Sequence, residues 1–142
     1  MPLWRLYYHL VWATKQRQPL ITETVEQFLH AILASKSAEK GAHVFAVNGT
    51  PDHVHLVAAI PPSIAVSSFV RFVKGASSYA VQREFDLPFG WQRGYGVFSI
   101  SERNLAGAIE YVRRQKEHHE ANTAVPLLER TADGDEGPAS VR

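Results

Sequence analysis

The fold is decided by the stretch Pro51-Asp52-His53-Val54-His55-Leu56-Val57-Ala58-Ala59-Ile60, which reads as a β-strand following a turn. Side chains alternate along a strand, so His53 and His55 face the same way. At a spacing of roughly 6–7 Å along the strand, two imidazoles can converge on one divalent cation. A pair of solvated histidines on an open sheet face is the alternative. The intervening positions are apolar and are expected to face a core: Val54, Leu56, Ala58 and Ile60.

Hydrophobic periodicity on either side of this strand predicts the order β-α-β-β-α-β and then a last helix. Residues 3–13 alternate and predict a half-buried strand, and an amphipathic helix runs from a cap at Thr22 to about Lys40. The remaining elements are a strand over 43–48, a helix from 63 to about 85, a strand over 97–100 and a helix over 102–121. This order predicts an α+β, ferredoxin-like split βαβ fold with an antiparallel sheet and an additional C-terminal helix.

Composition restricts the possible chemistry. The 142 residues predict one domain over 1–122 and a disordered acidic tail over 123–142. The chain contains no cysteine, which excludes disulfides and thiolate chemistry and leaves histidine, carboxylate and amide groups as metal ligands. Neither a membrane span nor a leader segment is evident, so the cytoplasm is the expected location. The net charge of +1 permits a phosphate-bearing partner without requiring one.

The last predicted helix carries a polar row beside its apolar stripe. Leu105, Ile109 and Val112 form the stripe, and a row of Tyr111, Gln115 and His118 lies along its flank. Tyr111 and Gln115 are neighbours at i and i+4. The amide oxygen of Gln115 suits a hard metal, and Tyr111 supplies a phenol that a nearby divalent cation would make a better nucleophile. The alternative is a tyrosine that only packs and a solvated glutamine.

Two cations, Arg71 and Lys74, recur at helical spacing on the second predicted helix. A row of this kind is either a solvated helix face or a strip for phosphate contacts.

Four segments, in this order, resemble the single-tyrosine transposases of the HUH superfamily. This family includes insertion-sequence transposases and their relatives associated with repetitive extragenic palindromes (REPs). The resemblance covers roughly residues 3–120. The segments are HLVWATK at 9–15, PDHVHL at 51–56, WQRGYGVFSIS at 91–101 and YVRRQKEHH at 111–119.

The resemblance implies a DNA transposase that cleaves and rejoins single-stranded DNA near a hairpin through a covalent 5′-phosphotyrosine. Tyr111 would be the nucleophile, and Mg²⁺ or Mn²⁺ would be held by His53, His55 and Gln115. A homodimer is expected, in which the tyrosine helix completes either its own site or the partner's. The candidate phosphate contacts are Arg71, Lys74, Arg113 and Arg114.

Two other functions remain open from the residues alone. In a metal-dependent hydrolase, His53, His55 and either His118 or His119 would bind zinc, and water would be the nucleophile. A non-catalytic nucleic-acid-binding module would need no metal and would expose aromatic side chains on its central strands. The two-histidine strand has no aromatic residue, which counts against the second alternative.

Overall fold

The computed structural model describes residues 3–116, which form one antiparallel sheet and three α-helices. None of the described helices is both long enough and apolar enough to cross a membrane. The predicted boundary at residue 122 and the predicted tail over 123–142 lie outside the described residues. The elements are β1 (Tyr7–Ala13), α1 (Glu23–Glu39), β2 (His43–Thr50), β3 (His53–Ala59), α2 (Val66–Phe85), β4 (Gly96–Ile100) and α3 (Leu105–Arg113).

The four strands lie in the order β2-β3-β1-β4, and every neighbouring pair is antiparallel. This arrangement confirms the predicted α+β, ferredoxin-like fold with an extra C-terminal helix. The two-histidine strand β3 lies inside the sheet, with β2 on one side and β1 on the other. In the β1–β3 ladder, Leu10 lies opposite Leu56 and Ala13 lies opposite His53. The first strand therefore lies directly beside the predicted site.

The helices α1 and α2 cover one face of the sheet. The predicted apolar face of β3 packs there, and its four side chains are at most 1% exposed. Trp12 of β1 joins the same core and meets Trp91 edge-on at 5.9 Å between ring centroids. The indole nitrogen of Trp91 also donates a hydrogen bond to the Ser77 hydroxyl at 3.0 Å. Trp91 therefore contributes to packing and to the attachment of α2.

Helix α3 packs on the opposite face of the sheet, against β2 and β3. Its buried residue Val112 forms a second, smaller core with Ala46 and Val57.

The prediction of a half-buried first strand is wrong for the second half of β1. Residues 9–13 of β1 are buried on both faces because the sheet is covered on both sides there.

The predicted cap at Thr22 is confirmed, and a second capping hydroxyl precedes the last helix. The Thr22 hydroxyl accepts from the Val25 amide at the start of α1, and the Ser101 hydroxyl accepts from the Asn104 amide. Ser101 caps a 3₁₀ turn over Glu102–Asn104, and α3 begins only at Leu105. The helix predicted from about 102 to 121 is therefore interrupted within the described residues, first by this 3₁₀ turn and again by a turn at Arg114, after which residues 115–116 are helical.

The hairpin between β2 and β3 closes very tightly. Only Pro51 and Asp52 separate the strands, and Thr50 pairs with His53. At Gly49 an added Cβ would lie 2.2 Å from the carbonyl oxygen of His53. Glycine is thus required where the hairpin backbone passes the first histidine.

Candidate active site

The two predicted histidines lie on the face of the sheet covered by α3. Their ring centroids are 5.1 Å apart, and His53 and His55 are 3% and 0% exposed. This burial excludes the alternative of two solvated histidines on an open sheet. Imidazoles so thoroughly removed from water need polar partners, because unpaired buried polar groups are costly.

His53 is anchored by the residues of the hairpin turn. Its Nδ1 lies 2.7 Å from the Asp52 carboxylate and 2.8 Å from the Thr50 hydroxyl. The guanidinium of Arg17 approaches the same carboxylate at 3.5 Å. Partial burial acts to raise the pKa of Asp52, but hydrogen bonds from His53 and Thr50 and the charge of Arg17 outweigh it, and the pKa lies below its ordinary value. An ionised Asp52 favours the tautomer of His53 that carries its proton on Nδ1, in which Nε2 is the nitrogen with the lone pair.

His55 is anchored by His9, a residue that the sequence reasoning did not assign to the site. Nε2 of His9 lies 2.7 Å from Nδ1 of His55, and the two rings stack with centroids 5.0 Å apart. His9 is 3% exposed. The available signal was the alternation of β1. Leu10 and Trp12 face the core, so His9 lies on the other face of the sheet. Its proximity to His55 depends on β1 being the strand beside β3.

Tyr111 of α3 lies over these rings, half-buried as predicted. Its ring meets His9 and His55 edge-on, with centroids 6.3 and 6.5 Å away. It also lines a cavity of about 530 Å³ between β4 and α3, together with His9, Phe98 and Asn104. The structure therefore brings the candidate nucleophile and the histidine pair to one place, beside a space open to a substrate.

Gln115 follows the turn that ends α3 and is 0% exposed, whereas an edge position on the helix was expected. The segments on either side of it are tied to the β2–β3 hairpin. The Asn48 side-chain amide donates to the Arg113 carbonyl at 3.0 Å, and the Lys116 ammonium donates to the Asn48 side chain and the Gly49 carbonyl. In the β2–β3 ladder Asn48 pairs with His55. Gln115 is thereby held over the hairpin that carries both histidines.

Two of the predicted cations lie at the end of α3, and the other two lie on α2. Arg113 and Arg114 are exposed and lie two and three residues after Tyr111. Arg71 is exposed on α2, in the helical layer behind the opposite face of the sheet. Lys74 donates two hydrogen bonds, to the carbonyls of Gln92 and Gly94 at 2.7 and 2.9 Å, and so fixes the loop before β4.

Two histidines and one glutamine are the candidate ligands for a divalent cation at this site. Because the Nδ1 atoms of His53 and His55 each contact a neighbouring side chain, Nε2 is the ring nitrogen that would coordinate a metal, and Gln115 supplies a buried amide group. Imidazole nitrogens suit transition metals, and a neutral amide oxygen is a donor typical of Mg²⁺ and Mn²⁺, so the set forms a mixed nitrogen and oxygen site for a divalent cation. Within residues 3–116, no three His, Asp or Glu side chains are grouped to hold a metal. The zinc alternative needs His118 or His119, which lie outside the described residues.

Sequence comparison places the chain among transposases. The profile of the family described as "Transposase IS200 like" matches residues 2–115. The ISDra2 transposase TnpA of Deinococcus radiodurans is 32% identical over 120 residues, covering 80% of this chain and 86% of the relative. The transposase for insertion sequence element IS200 of Salmonella typhimurium is 31% identical over 121 residues, covering 80% and 79%.

Solved structures share the fold. A candidate transposase from Deinococcus radiodurans superposes with a TM-score of 0.67 at 29% identity, covering 86% of this chain and 93% of that one. A REP-associated tyrosine transposase bound to a REP hairpin superposes with a TM-score of 0.64 at 17% identity, covering 84% and 74%. The second similarity concerns the fold alone.

Proposed function

Because the chain belongs to the IS200-like transposase family, we propose that it cleaves and rejoins single-stranded DNA through a covalent 5′-phosphotyrosine at Tyr111. The observation that carries the proposal is the position of Tyr111 over the buried His9–His55 pair, at ring distances of 6.3 and 6.5 Å. A nucleophile beside preorganised metal-ligand candidates is an arrangement suited to phosphoryl transfer.

A divalent cation, Mg²⁺ or Mn²⁺, would be held by His53, His55 and Gln115. When bound, it would supply Lewis-acid polarisation of the scissile phosphate and charge stabilisation at the leaving oxygen. The chain's own contribution is to orient the ligands before DNA arrives. Asp52 fixes the ring of His53, and the contacts of Asn48 and Lys116 hold the segment that carries Gln115.

In the cleavage step, the phenolic oxygen of Tyr111 attacks phosphorus and loses its proton. A bond forms between that oxygen and phosphorus, and the bond between phosphorus and the 3′ oxygen breaks. The leaving 3′ oxygen takes up a proton and becomes a free hydroxyl, while the 5′ phosphate remains on the tyrosine. A 3′ hydroxyl attacks the phosphotyrosine in the reverse sense to rejoin DNA. The number of phosphoester bonds is conserved, so no nucleotide cofactor is consumed.

The DNA contacts are proposed from the positions of the cations. Arg113 and Arg114 lie two and three residues after the tyrosine and are exposed, so they suit phosphates near the scissile bond. Arg71, behind the opposite face of the sheet, suits a more distant part of the DNA, such as a hairpin stem. Hairpin binding is favoured by the fold shared with a relative that was solved with a REP hairpin. Lys74 retains a role in DNA binding only through the loop that it supports.

A homodimer is proposed from the edge of the sheet. β4 is an edge strand of five residues on which Val97 is 41% exposed. An exposed apolar edge strand is a ready surface for pairing with a second copy around a two-fold axis. Light scattering coupled to size-exclusion chromatography tests this: Val97→Lys is expected to yield monomer, and an unchanged dimer would move the interface elsewhere.

The function is tested by trapping the covalent adduct. Labelled single-stranded oligonucleotides that span the DNA flanking the gene are incubated with the protein and Mn²⁺, then run on a denaturing protein gel. The proposal expects a labelled band at the summed mass of protein and DNA, absent in Tyr111→Phe and absent after chelation. Tyr79→Phe is the matched control, because Tyr79 is 59% exposed and lies on α2, away from the histidines.

Two outcomes would overturn the proposal. Cleavage without an adduct, retained by Tyr111→Phe, would instead establish a water-using metal nuclease. An adduct that persists in Tyr111→Phe but disappears in Tyr79→Phe would assign the nucleophile to α2.

A further inference from the structure

The ring of His9 makes a buried contact with the ring of His55. It lies diagonally across the β1–β3 ladder from His55, since its direct partner is Val57 and that of His55 is Val11. The two rings stack at an interplanar angle of 29°, with His9 Nε2 2.7 Å from His55 Nδ1. Both side chains are almost fully buried. A hydrogen bond between two imidazoles has only two neutral arrangements, and they differ in what His55 can do.

In the first arrangement, Nδ1–H of His55 donates to Nε2 of His9. The Nε2 of His55 then carries a lone pair and can bind a metal. In the second, Nε2–H of His9 donates to Nδ1 of His55, whose own Nε2 carries the proton and cannot bind a metal. The identity and orientation of the neighbour at position 9 therefore decide whether His55 is competent as a ligand.

We propose that His9 is a positioning residue that accepts the Nδ1–H of His55 and thereby holds His55 in the metal-binding tautomer. This inference rests on the proposed metal site. His9 acts on His55 as Asp52 acts on His53, where the carboxylate accepts Nδ1–H at 2.7 Å. Each ligand histidine then has its own anchor, one from the hairpin turn and one from the neighbouring strand. Such anchors fix ring orientation and raise ligand basicity.

His9 itself is not assigned as a metal ligand. Its Nε2 is engaged by His55, and within residues 3–116 no three-residue group that includes it is placed to hold a metal. Its ring meets the ring of Tyr111 edge-on, with centroids 6.3 Å apart. Its effect on the reaction is therefore expected to pass through His55.

The first test measures Mn²⁺ binding by titration calorimetry in the full chain without DNA. His9→Phe keeps an aromatic ring but removes the acceptor, and it is expected to weaken Mn²⁺ binding by about 10- to 100-fold. His9→Gln keeps an acceptor oxygen and is expected to recover most of the affinity. Tyr7→Phe is the matched control, since it removes a polar group from the same face of β1 and should bind Mn²⁺ as the unsubstituted chain does.

The second test observes the tautomer directly in the metal-free protein. Long-range ¹H–¹⁵N correlation spectra distinguish a histidine protonated at Nδ1 from one protonated at Nε2. His55 is expected to be protonated at Nδ1 in the unsubstituted chain and to shift toward Nε2 protonation in His9→Phe. A role of His9 in packing alone would not move this signal.

Three results would overturn the inference. The first is an unchanged Mn²⁺ affinity in His9→Phe. The second is an equal loss of Mn²⁺ affinity in His9→Phe and His9→Gln, together with an unchanged His55 tautomer. If His53→Ala and Gln115→Ala also bind Mn²⁺ normally, the proposed metal site fails together with this inference. If those two variants lose binding while His9→Phe does not, only the role of His9 is rejected.

Discussion

The side-chain amide of Asn48 donates a hydrogen bond to the backbone carbonyl of Arg113 at 3.0 Å. This contact joins β2 to the end of the helix that carries Tyr111, at the register position directly beside His55. It satisfies one of the carbonyls that a helix leaves without an intrahelical partner at its C-terminal end. The Lys116 ammonium reinforces the same junction by binding the side chains of Asn48 and Glu26.

Asn48→Ala is expected to lower the free energy of unfolding by more than about 1 kcal/mol, the usual net value of one hydrogen bond, because the side chain also accepts from Lys116 and the Gly49 amide. Because the lost contact holds the segment that carries Gln115, weaker Mn²⁺ binding should accompany the loss of stability. Urea unfolding and calorimetry measure the two effects. Gln27→Ala, at an exposed position on α1, serves as the control and should change neither.

Asp52→Asn is expected to weaken Mn²⁺ binding by about 10-fold or more, because a neutral amide is a poorer acceptor for the Nδ1–H of His53. Asp86→Asn removes the same charge at an exposed loop position with φ of 51°, where asparagine is well tolerated. The control should retain full affinity. Equal affinities for both variants would remove Asp52 from the site.

Gly49→Ala is expected to destabilise the chain by several times the cost of an ordinary surface substitution, since the new methyl group would lie 2.2 Å from the His53 carbonyl oxygen. Gly75→Ala is the matched control, because its added Cβ meets no atom within 4 Å among the described residues. Alanine in the helix interior should raise stability there by about 0.5–1 kcal/mol. Thermal or urea unfolding that ranks the two variants in the opposite order would contradict the hairpin geometry.

Lys74→Met and Arg71→Met should separate loop support from DNA binding. Lys74 donates to two loop carbonyls, so its replacement is expected to lower stability. Arg71 is exposed, so its replacement should leave stability within about 0.5 kcal/mol and weaken binding to hairpin DNA. Urea unfolding and fluorescence anisotropy at fixed salt give the two readouts. Normal DNA affinity in Arg71→Met would exclude α2 from the interface.

His30 of α1 should make the fold less stable in mild acid. Burial lowers its pKa from the ordinary value of 6.5; the charge of Lys116 acts in the same direction and that of Glu26 opposes it. The unfolded chain therefore binds a proton more readily than the folded one as pH falls below about 6.5. His30→Leu is expected to reduce the loss of unfolding free energy between pH 7 and pH 5, measured by urea unfolding. An equal or steeper loss in the variant would reject this role of His30.

Local patterns in the sequence were sufficient for the fold class and for the central site residues. Period-two alternation placed His53 and His55 on one face and their apolar neighbours on the other, and this arrangement is confirmed. The capping residue Thr22 marked the start of α1. Helical spacing placed Tyr111 on the flank of its stripe, where the structure has it half-buried. These features depend on residues close in the chain, whose relative directions the backbone geometry determines.

Long-range packing decided the rest. The contact between His9 and His55 spans 46 positions and exists because β1 lies beside β3 in the sheet. The complete burial of Gln115 accompanies the docking of the end of α3 on β2, where Asn48 binds the Arg113 carbonyl, and helical periodicity does not include such a contact. The contact of Lys74 with the loop exists because the tertiary structure places α2 beside the segment before β4. Sequence alone determined which side chains share a face, whereas only the tertiary structure decided which faces meet, because contacts between distant residues depend on strand order and helix docking.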